Sequence, residues 1–185
     1  EKIKYFYSLK RKKNRLKEKK IIIEGERLIY EVLKTNHSLD LIITIKNNFL
    51  SDTAKKILSL SKNKMIPIEY VNSKIIDRLS KTKNNQSFIA ISNFPKYKKI
   101  DYTKNILALD TISDPGNMGT LLRSAEWFGI NNIILSENCV DQFNSKVIRS
   151  SMGSQFHLKS IQNIKLDNEL TKLKKLNYLI LGADK

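Results

Sequence analysis

One stretch of the 185-residue chain gathers side chains able to grip an anionic or hydroxylic substrate: Leu107-Ala-Leu-Asp-Thr-Ile-Ser-Asp-Pro-Gly-Asn-Met-Gly-Thr-Leu-Leu-Arg-Ser-Ala-Glu-Trp-Phe-Gly129. An apolar run ends at Asp110, and Asp114, Pro115 and Gly116 make a tight turn. A helix is then expected from Asn117 to Phe128, with Leu121, Leu122, Ala125 and Phe128 toward the core and Gly129 ending it. Polar groups therefore collect at the carboxyl end of a strand and the amino end of a helix, where open α/β sheets bind ligands. Asn117 and Arg123 are six positions apart, roughly 9 Å along the axis and about 120° around it. Helical side chains lean toward the amino terminus, so a long Arg123 can bring its guanidinium back beside Asn117. A planar charged fork next to backbone N–H donors suits a phosphate or a sugar oxygen. The same residues admit a second arrangement, with Asn117 as the cap and Arg123 paired with Glu126 or Glu137 on the surface.

Other groups carry weaker chemistry. Arg11, Lys12 and Lys13, with Lys17, Lys19 and Lys20 beyond them, could follow RNA phosphates while Tyr5, Phe6 and Tyr7 stack on bases. The competing expectation is a solvated lysine-rich helix whose aromatics pack inward. Ser150, Ser151 and Ser154 beside Gly153 suit either a ligand or a tight turn. Trp127 and Phe128 are expected in the core or at a dimer contact, and His157 in a structural role. Glu24 and Glu26 are expected as helix-opening charges. His37, His157 and Cys139 are too few for a zinc site of the Cys/His type, and no metal is expected. No Gly-x-Ser-x-Gly elbow or phosphate-binding loop appears, which leaves hydrolase and nucleoside-triphosphatase chemistry without an anchor.

The elements that must position these residues alternate. Lys2 to about Lys20 reads as one basic helix. Strands are expected at Ile21–Ile23, Leu39–Ile45, Ile66–Val71 and Phe88–Ile91. Helices are expected over Glu26–Lys34, Asp52–Leu60 (capped by Ser51) and from Asn72 or Ser73 to Leu79. This alternation implies a mostly parallel sheet. Asn93 to Lys99, with Pro95 and three lysines, breaks the pattern as a basic hinge. Beyond it come strands at Ile106–Leu109 and Asn132–Leu135, a helix near Gln142–Arg149 and an extended piece near Phe156–Ile161. A helix over Leu166–Leu173 and a strand at Tyr178–Leu181 complete the series. The expected organisation is α/β throughout: a small unit over 1–95, a linker over 96–104, and an incomplete unit with a mostly parallel sheet over 105–185.

Composition bounds the function. The formal charge is +16 and 41% of residues are hydrophobic. That is enough apolar material for a core, and the field attracts polyanions. Lysine, asparagine and isoleucine richness also fits AT-rich codon usage, so part of the charge needs no functional reason. Apolar runs such as Leu41–Ile43 are strand-sized, and no membrane span is expected. A lone Cys139 and no apolar leader-like stretch suit a reducing cytoplasm. The ending on an apolar run at Leu181-Gly182-Ala183-Asp184-Lys185 leads us to expect that the natural chain continues.

The segment around Asn117 resembles the first signature of the SpoU (TrmH-like) branch of the SPOUT RNA methyltransferases. Asp114, Pro115, Asn117, Gly119, Arg123, Ala125, Phe128 and Gly129 carry the likeness. Lys146-Val-Ile-Arg-Ser-Ser-Met-Gly153 resembles the family's next helix and small-residue turn. Ile22-Ile-Glu-Gly-Glu-Arg-Leu-Ile29 resembles its accessory substrate-binding domain, a fold akin to certain RNA-binding ribosomal proteins. The resemblance implies methyl transfer from S-adenosylmethionine to a ribose 2′-hydroxyl in rRNA or tRNA, with rRNA favoured by the likeness of the accessory domain, by a homodimer whose sheet is knotted in the full family. It implies activation of the hydroxyl by Arg123 and organisation of the site by Asn117; RNA contacts are expected from the basic Arg11, Lys12 and Lys13 and from Arg149 and Ser151. Gly182 and Ala183 correspond to a cofactor-adjacent edge.

The sequence departs from the family in lacking, before Lys185, two later cofactor signatures: a Gly- and Glu-containing turn and a Ser-Leu-Asn segment. The chain as it stands is therefore expected to bind S-adenosylmethionine poorly. The alternative expectation is a non-catalytic RNA-binding protein that retains the fold.

Overall fold

The computed structural model describes residues 2–46, 50–80, 87–95 and 99–183. The amino-terminal part holds α1 (Lys2–Ser8), α2 (Lys12–Glu18), β1 (Lys20–Glu24), α3 (Glu26–Lys34), β2 (Leu39–Ile45), α4 (Asp52–Asn63), β3 (Ile68–Val71), α5 (Ser73–Leu79) and β4 (Phe88–Asn93). The rest holds β5 (Ile106–Leu109), α6 (Pro115–Trp127), β6 (Asn132–Ser136), α7 (Ser145–Ser150), a 3-10 turn at Ser154–Phe156, β7 (Lys159–Ile164) and α8 (Leu166–Lys175). Ser51 caps α4, as its position before an apolar-periodic run predicts, and Asn72 caps α5, which places the start of that helix at Ser73; each side chain accepts a backbone N–H.

The first sheet corrects the expectation of parallel strands. Its order is β1-β4-β2-β3, and only β2 and β3 are parallel neighbours. β4 runs antiparallel to both β1 (Ile22 opposite Ile91) and β2 (Ile42 opposite Ala90). β1 and β2 therefore still run in the same direction, as a strand–helix–strand unit requires, with β4 inserted between them. Periodicity reports which faces are buried and carries no strand direction, so this insertion had no local signature. The second sheet, β5-β6-β7, is parallel throughout, as expected.

Three further boundaries differ. The expected single amino-terminal helix breaks after Ser8, because the carbonyls of Leu9 and Lys10 turn to accept from the Arg15 guanidinium. Tyr178–Leu181 forms no strand, and Leu179 and Leu181 are exposed. Of the expected linker, 96–98 lie outside the described residues. Ile100 is buried, and the Asp101 N–H donates to Asn132 Oδ1, so the residues before β5 are held on the second sheet.

The apolar cores are not confined to one sheet each. Ile21, Ile23, Leu28 and Ile29 share a buried cluster with Phe143, Ile148 and Phe156 from the region of α7. Leu109, Met118, Leu122, Ala125, Ile133 and Leu135 form the cluster between α6 and the second sheet. α6 reaches α7 at Gly119, where a Cβ would stand 1.9 Å from Ser150 Oγ and 2.8 Å from the Ser151 nitrogen. Ser150 Oγ also donates to the Pro115 carbonyl at 3.0 Å, tying α7 to the first turn of α6. Alanine at 119 gains about 0.5–1 kcal/mol of helix propensity over glycine. Overpacking costs about 1–3 kcal/mol and wins. Gly119→Ala is accordingly expected to lower the urea midpoint, and an unchanged midpoint would contradict the close approach.

Candidate functional site

β5 delivers the chain to the carboxyl edge of the parallel sheet at Leu109. Thr111 follows at φ +53°, in the left-handed region that a β-branched side chain disfavours. Its N–H donates to Ser136 Oγ at 2.9 Å, at the end of β6. The Val140 N–H donates to the Ile112 carbonyl at 2.8 Å, joining the loops that follow β5 and β6. Cys139 Sγ contributes a longer bond to the Leu109 carbonyl at 3.3 Å.

The turn then opens α6. Asp114, not Asn117, is the cap: Asp114 Oδ1 accepts the Asn117 N–H at 2.8 Å, and Pro115 occupies the first turn. Proline at that position lacks an N–H that the helix would leave unpaired. That bond to the Asn117 N–H, with Lys146 Nζ 3.7 Å from Oδ2, holds the Asp114 carboxyl below its ordinary range. At the other end the Gly129 N–H donates to the Glu126 carbonyl and the Ile130 N–H to that of Ala125, with Gly129 at φ +73°. This is the glycine-terminated helix end that the sequence predicts. It also corrects Phe128: the helix stops at Trp127, so Phe128 turns outward to 78% exposure and Ile130 packs on the core instead.

Arg123 is exposed and makes no hydrogen bond or ion pair with any described residue. The surface pair with Glu126 is absent, because Glu126 Oε1 stands 3.7 Å from His157 Nδ1. Asn117 is likewise exposed, and its backbone is capped without use of its own side chain. Both side chains are thus open to solvent on one helix at the sheet edge. Arg11, Lys12 and Lys13 are exposed at the start of α2. Tyr5 and Tyr7 remain outside while Phe6 enters the core, so the three aromatics divide between the two expected roles.

Two expected RNA contacts are placed differently. Ser151 is fully buried, its hydroxyl donating to Gln155 Oε1 at 2.5 Å and to the Ile148 carbonyl, so it holds the turn and cannot meet RNA. Arg149 is mostly covered, its Nη1 3.6 Å from the buried carboxylate of Glu24, which in turn accepts from Ser80. Glu24 is therefore a partner to α7 more than a helix-opening charge. Gly182 and Ala183 are exposed, and a Cβ at Gly182 would meet nothing within 4 Å. Asp184 lies outside the described residues. Sequence reasoning missed Asp141, Ser136 and Arg15; their partners lie far along the chain and leave no local pattern. Among the described residues, no group of three or more His, Cys, Asp or Glu could hold a metal ion, and no helix is long and apolar enough to cross a membrane.

A capped helix at the carboxyl edge of a parallel sheet defines an α/β protein with a ligand-facing strand end. Comparison with known families gives it a narrower place. Residues 104–185 match the SpoU rRNA Methylase family, and residues 1–90 match the MRM3-like substrate binding domain. The chain joins an MRM3-like substrate-binding domain to a SpoU methylase family domain. It is 28% identical over 183 residues to the 23S rRNA (guanosine(2553)-2'-O)-methyltransferase RlmP of Bacillus subtilis, spanning 99% of this chain and 70% of that protein. It is 32% identical over 166 residues to the mitochondrial rRNA methyltransferase 3 of Xenopus tropicalis, spanning 85% of this chain but only 39% of that one. Among solved structures, a TrmH-family protein from Porphyromonas gingivalis superposes with a TM-score of 0.79 at 26% identity, covering 95% of this chain and 66% of its own.

The Asp114 cap has a pH signature. A carboxyl whose folded pKa is depressed contributes stability that is present above its unfolded value, about 3.9, and lost as pH falls through the lower folded value. Asp114→Asn, which still accepts the Asn117 N–H, is expected to hold the neutral-pH melting midpoint while flattening its acid dependence. Asp114→Ala is expected to lower the midpoint at neutral pH. Equal midpoints for wild type and Asp114→Ala at pH 7 would remove the cap from the account.

Proposed function

We propose that the complete protein transfers a methyl group from S-adenosylmethionine to a ribose 2′-hydroxyl of RNA, with rRNA as the substrate. The observation that carries this reading is the open, unpaired guanidinium of Arg123, on the Asp114-capped helix at the edge of the parallel sheet. The SpoU match over that half and the rRNA-methylating names of the relatives support it.

In this reading residues 1–95 capture the RNA and residues 105–185 carry the reacting groups, with 96–104 between them. The exposed Arg11, Lys12 and Lys13 meet phosphates, which sets affinity and position without reading sequence. Asn117 orients the ribose. Arg123 presents a rigid cationic fork of donors to the 2′-oxygen. Negative charge grows on that oxygen as it attacks, and a fixed cation stabilises the growing charge more than the neutral hydroxyl. The donor would supply the methyl group, its S–CH3 bond breaking as O–CH3 forms and the neutral thioether leaving, while the hydroxyl proton would pass to solvent. Gly182 and Ala183 are exposed, so the backbone there is accessible to that group. The exposed basic run of Arg11, Lys12 and Lys13 serves equally the second reading, an RNA-binding protein without methylating activity.

Labelled S-adenosylmethionine and an rRNA transcript separate the two. Arg123→Ala is expected to lower kcat by about 10²–10³ with RNA affinity retained, as for loss of one donor to a developing oxyanion. Arg123→Lys is expected to be nearly as impaired, because an ammonium lacks the fork. Incorporation that survives Arg123→Ala rejects the assignment. Salt-sensitive binding with no incorporation by the complete wild-type protein selects the second reading.

We further propose that the protein acts in the cytoplasm as a homodimer. Trp127 at 83% exposure and Phe128 beside it place two large apolar side chains in water at the end of α6, an arrangement that favours a covered state. Sedimentation equilibrium of the complete protein tests this: a dimer that Trp127→Ala/Phe128→Ala weakens is expected, and a monomer at micromolar concentration overturns it.

A further inference from the structure

Arg15 and Asp141 are 126 positions apart and meet in the interior. Arg15 Nη2 lies 2.5 Å from Asp141 Oδ2, with the side chains 7% and 6% exposed. Arg15 Nη1 also donates to the Lys10 carbonyl at 2.9 Å, and Asp141 Oδ1 accepts the Phe143 N–H at 3.0 Å. Both partners are thereby held in orientation as well as in charge. α2 lies over the carboxyl edge of the second sheet here, with Lys12 and Leu16 lining the same small cavity as Ser136, Cys139 and Val140.

The residue before Asp141 donates the bond that joins the two edge loops, Val140 N–H to the Ile112 carbonyl. Two residues beyond Ile112 stands Asp114, the cap of α6. Thr111, on the other side of Ile112, adopts a conformation its own side chain disfavours, so this loop keeps its shape only through contacts from elsewhere. A buried ion pair is a poor source of net stability and a good source of fixed geometry.

We propose that Arg15 is a positioning residue. Its pair with Asp141 holds the loop after β6, and through Val140 and Ile112 sets the turn that opens α6 and aims Asn117 and Arg123. The neighbouring Arg11, Lys12 and Lys13 on α2 are thereby kept at a fixed distance from the reacting side chains, so RNA gripped by the basic helix arrives in register with the sheet edge. This inference rests on the methyl-transfer reading for its catalytic consequence but not for its structural one.

Amide hydrogen exchange of the complete protein tests the structural part. In Arg15→Lys and in the isosteric Asp141→Asn, the amides of Thr111 and Val140 are expected to exchange about tenfold faster or more, while those of Ile133 and Ile134 in β6 keep their wild-type rates. In the methylation assay both variants are expected to lower kcat about tenfold with the KM for RNA within about twofold, whereas Lys12→Ala raises KM. Unchanged exchange at Thr111 and Val140, or exchange that rises there and at Ile134 together, overturns the proposal, as does a change confined to KM. If either variant fails to fold, the apolar pair Arg15→Met/Asp141→Leu replaces it: its stability is expected to return while the loop amides remain fast, and wild-type protection in that protein overturns the proposal too. An active Arg123→Ala enzyme defeats the methyl-transfer reading and leaves the exchange result to stand separately.

Discussion

The approach of α6 to α7 across Gly119 is the constraint on which the rest of the molecule depends. With no Cβ between them, Ser150 Oγ reaches the Pro115 carbonyl and α7 supports the first turn of the helix that carries Asn117 and Arg123. α7 is also one of the elements through which the two sheets meet. Ile148 enters the apolar cluster of Ile21, Ile23 and Leu28, and Arg149 stands against Glu24 at the end of β1. This short helix therefore supports the turn that opens α6 and helps join it to the amino-terminal part. A larger residue at 119 would push on both relations at once.

Above that helix contact the sheet edge is built from polar groups whose partners lie mostly within the edge itself. Ser136 accepts the Thr111 N–H, Val140 bonds Ile112, and Asp114 closes the α6 turn. Consumption of these groups in holding the loops leaves Asn117 and Arg123 as open polar side chains on α6. The arrangement separates support from chemistry: the supporting carboxylate of Asp114 is fully committed, and the long cation beyond it is free to meet a substrate. A guanidinium suits that position because it needs no proton exchange to stay charged and binds through two donors at once.

Much of this was legible along the chain. The bounds of α3, β2 and β5 follow from apolar spacing, the cap of α4 from Ser51, and the end of α6 from Gly129. The eight residues from Asp114 to Gly129 that resemble the SpoU signature mark the strand–turn–helix that the fold sets at the edge of the parallel sheet. Some residues were misread for local reasons. Asn117 was a plausible cap until Asp114, three positions earlier, proved to hold the bond. Phe128 fits the helical stripe only if the helix continues one residue further than it does. Ser151 is small and polar, and nothing in its neighbours told that it faces inward.

By itself the sequence determined most of the elements, the strand–turn–helix that bears Arg123 and the polyanion-attracting charge, since each is written in spacing, turn chemistry or composition over a few neighbouring residues. Tertiary structure alone decided that β4 runs antiparallel between β1 and β2, that Arg15 is buried against Asp141, and that Arg149 faces Glu24. Those outcomes belong to pairs far apart in the chain. Their energies come from burial and charge complementarity that exist only once both partners have left water together.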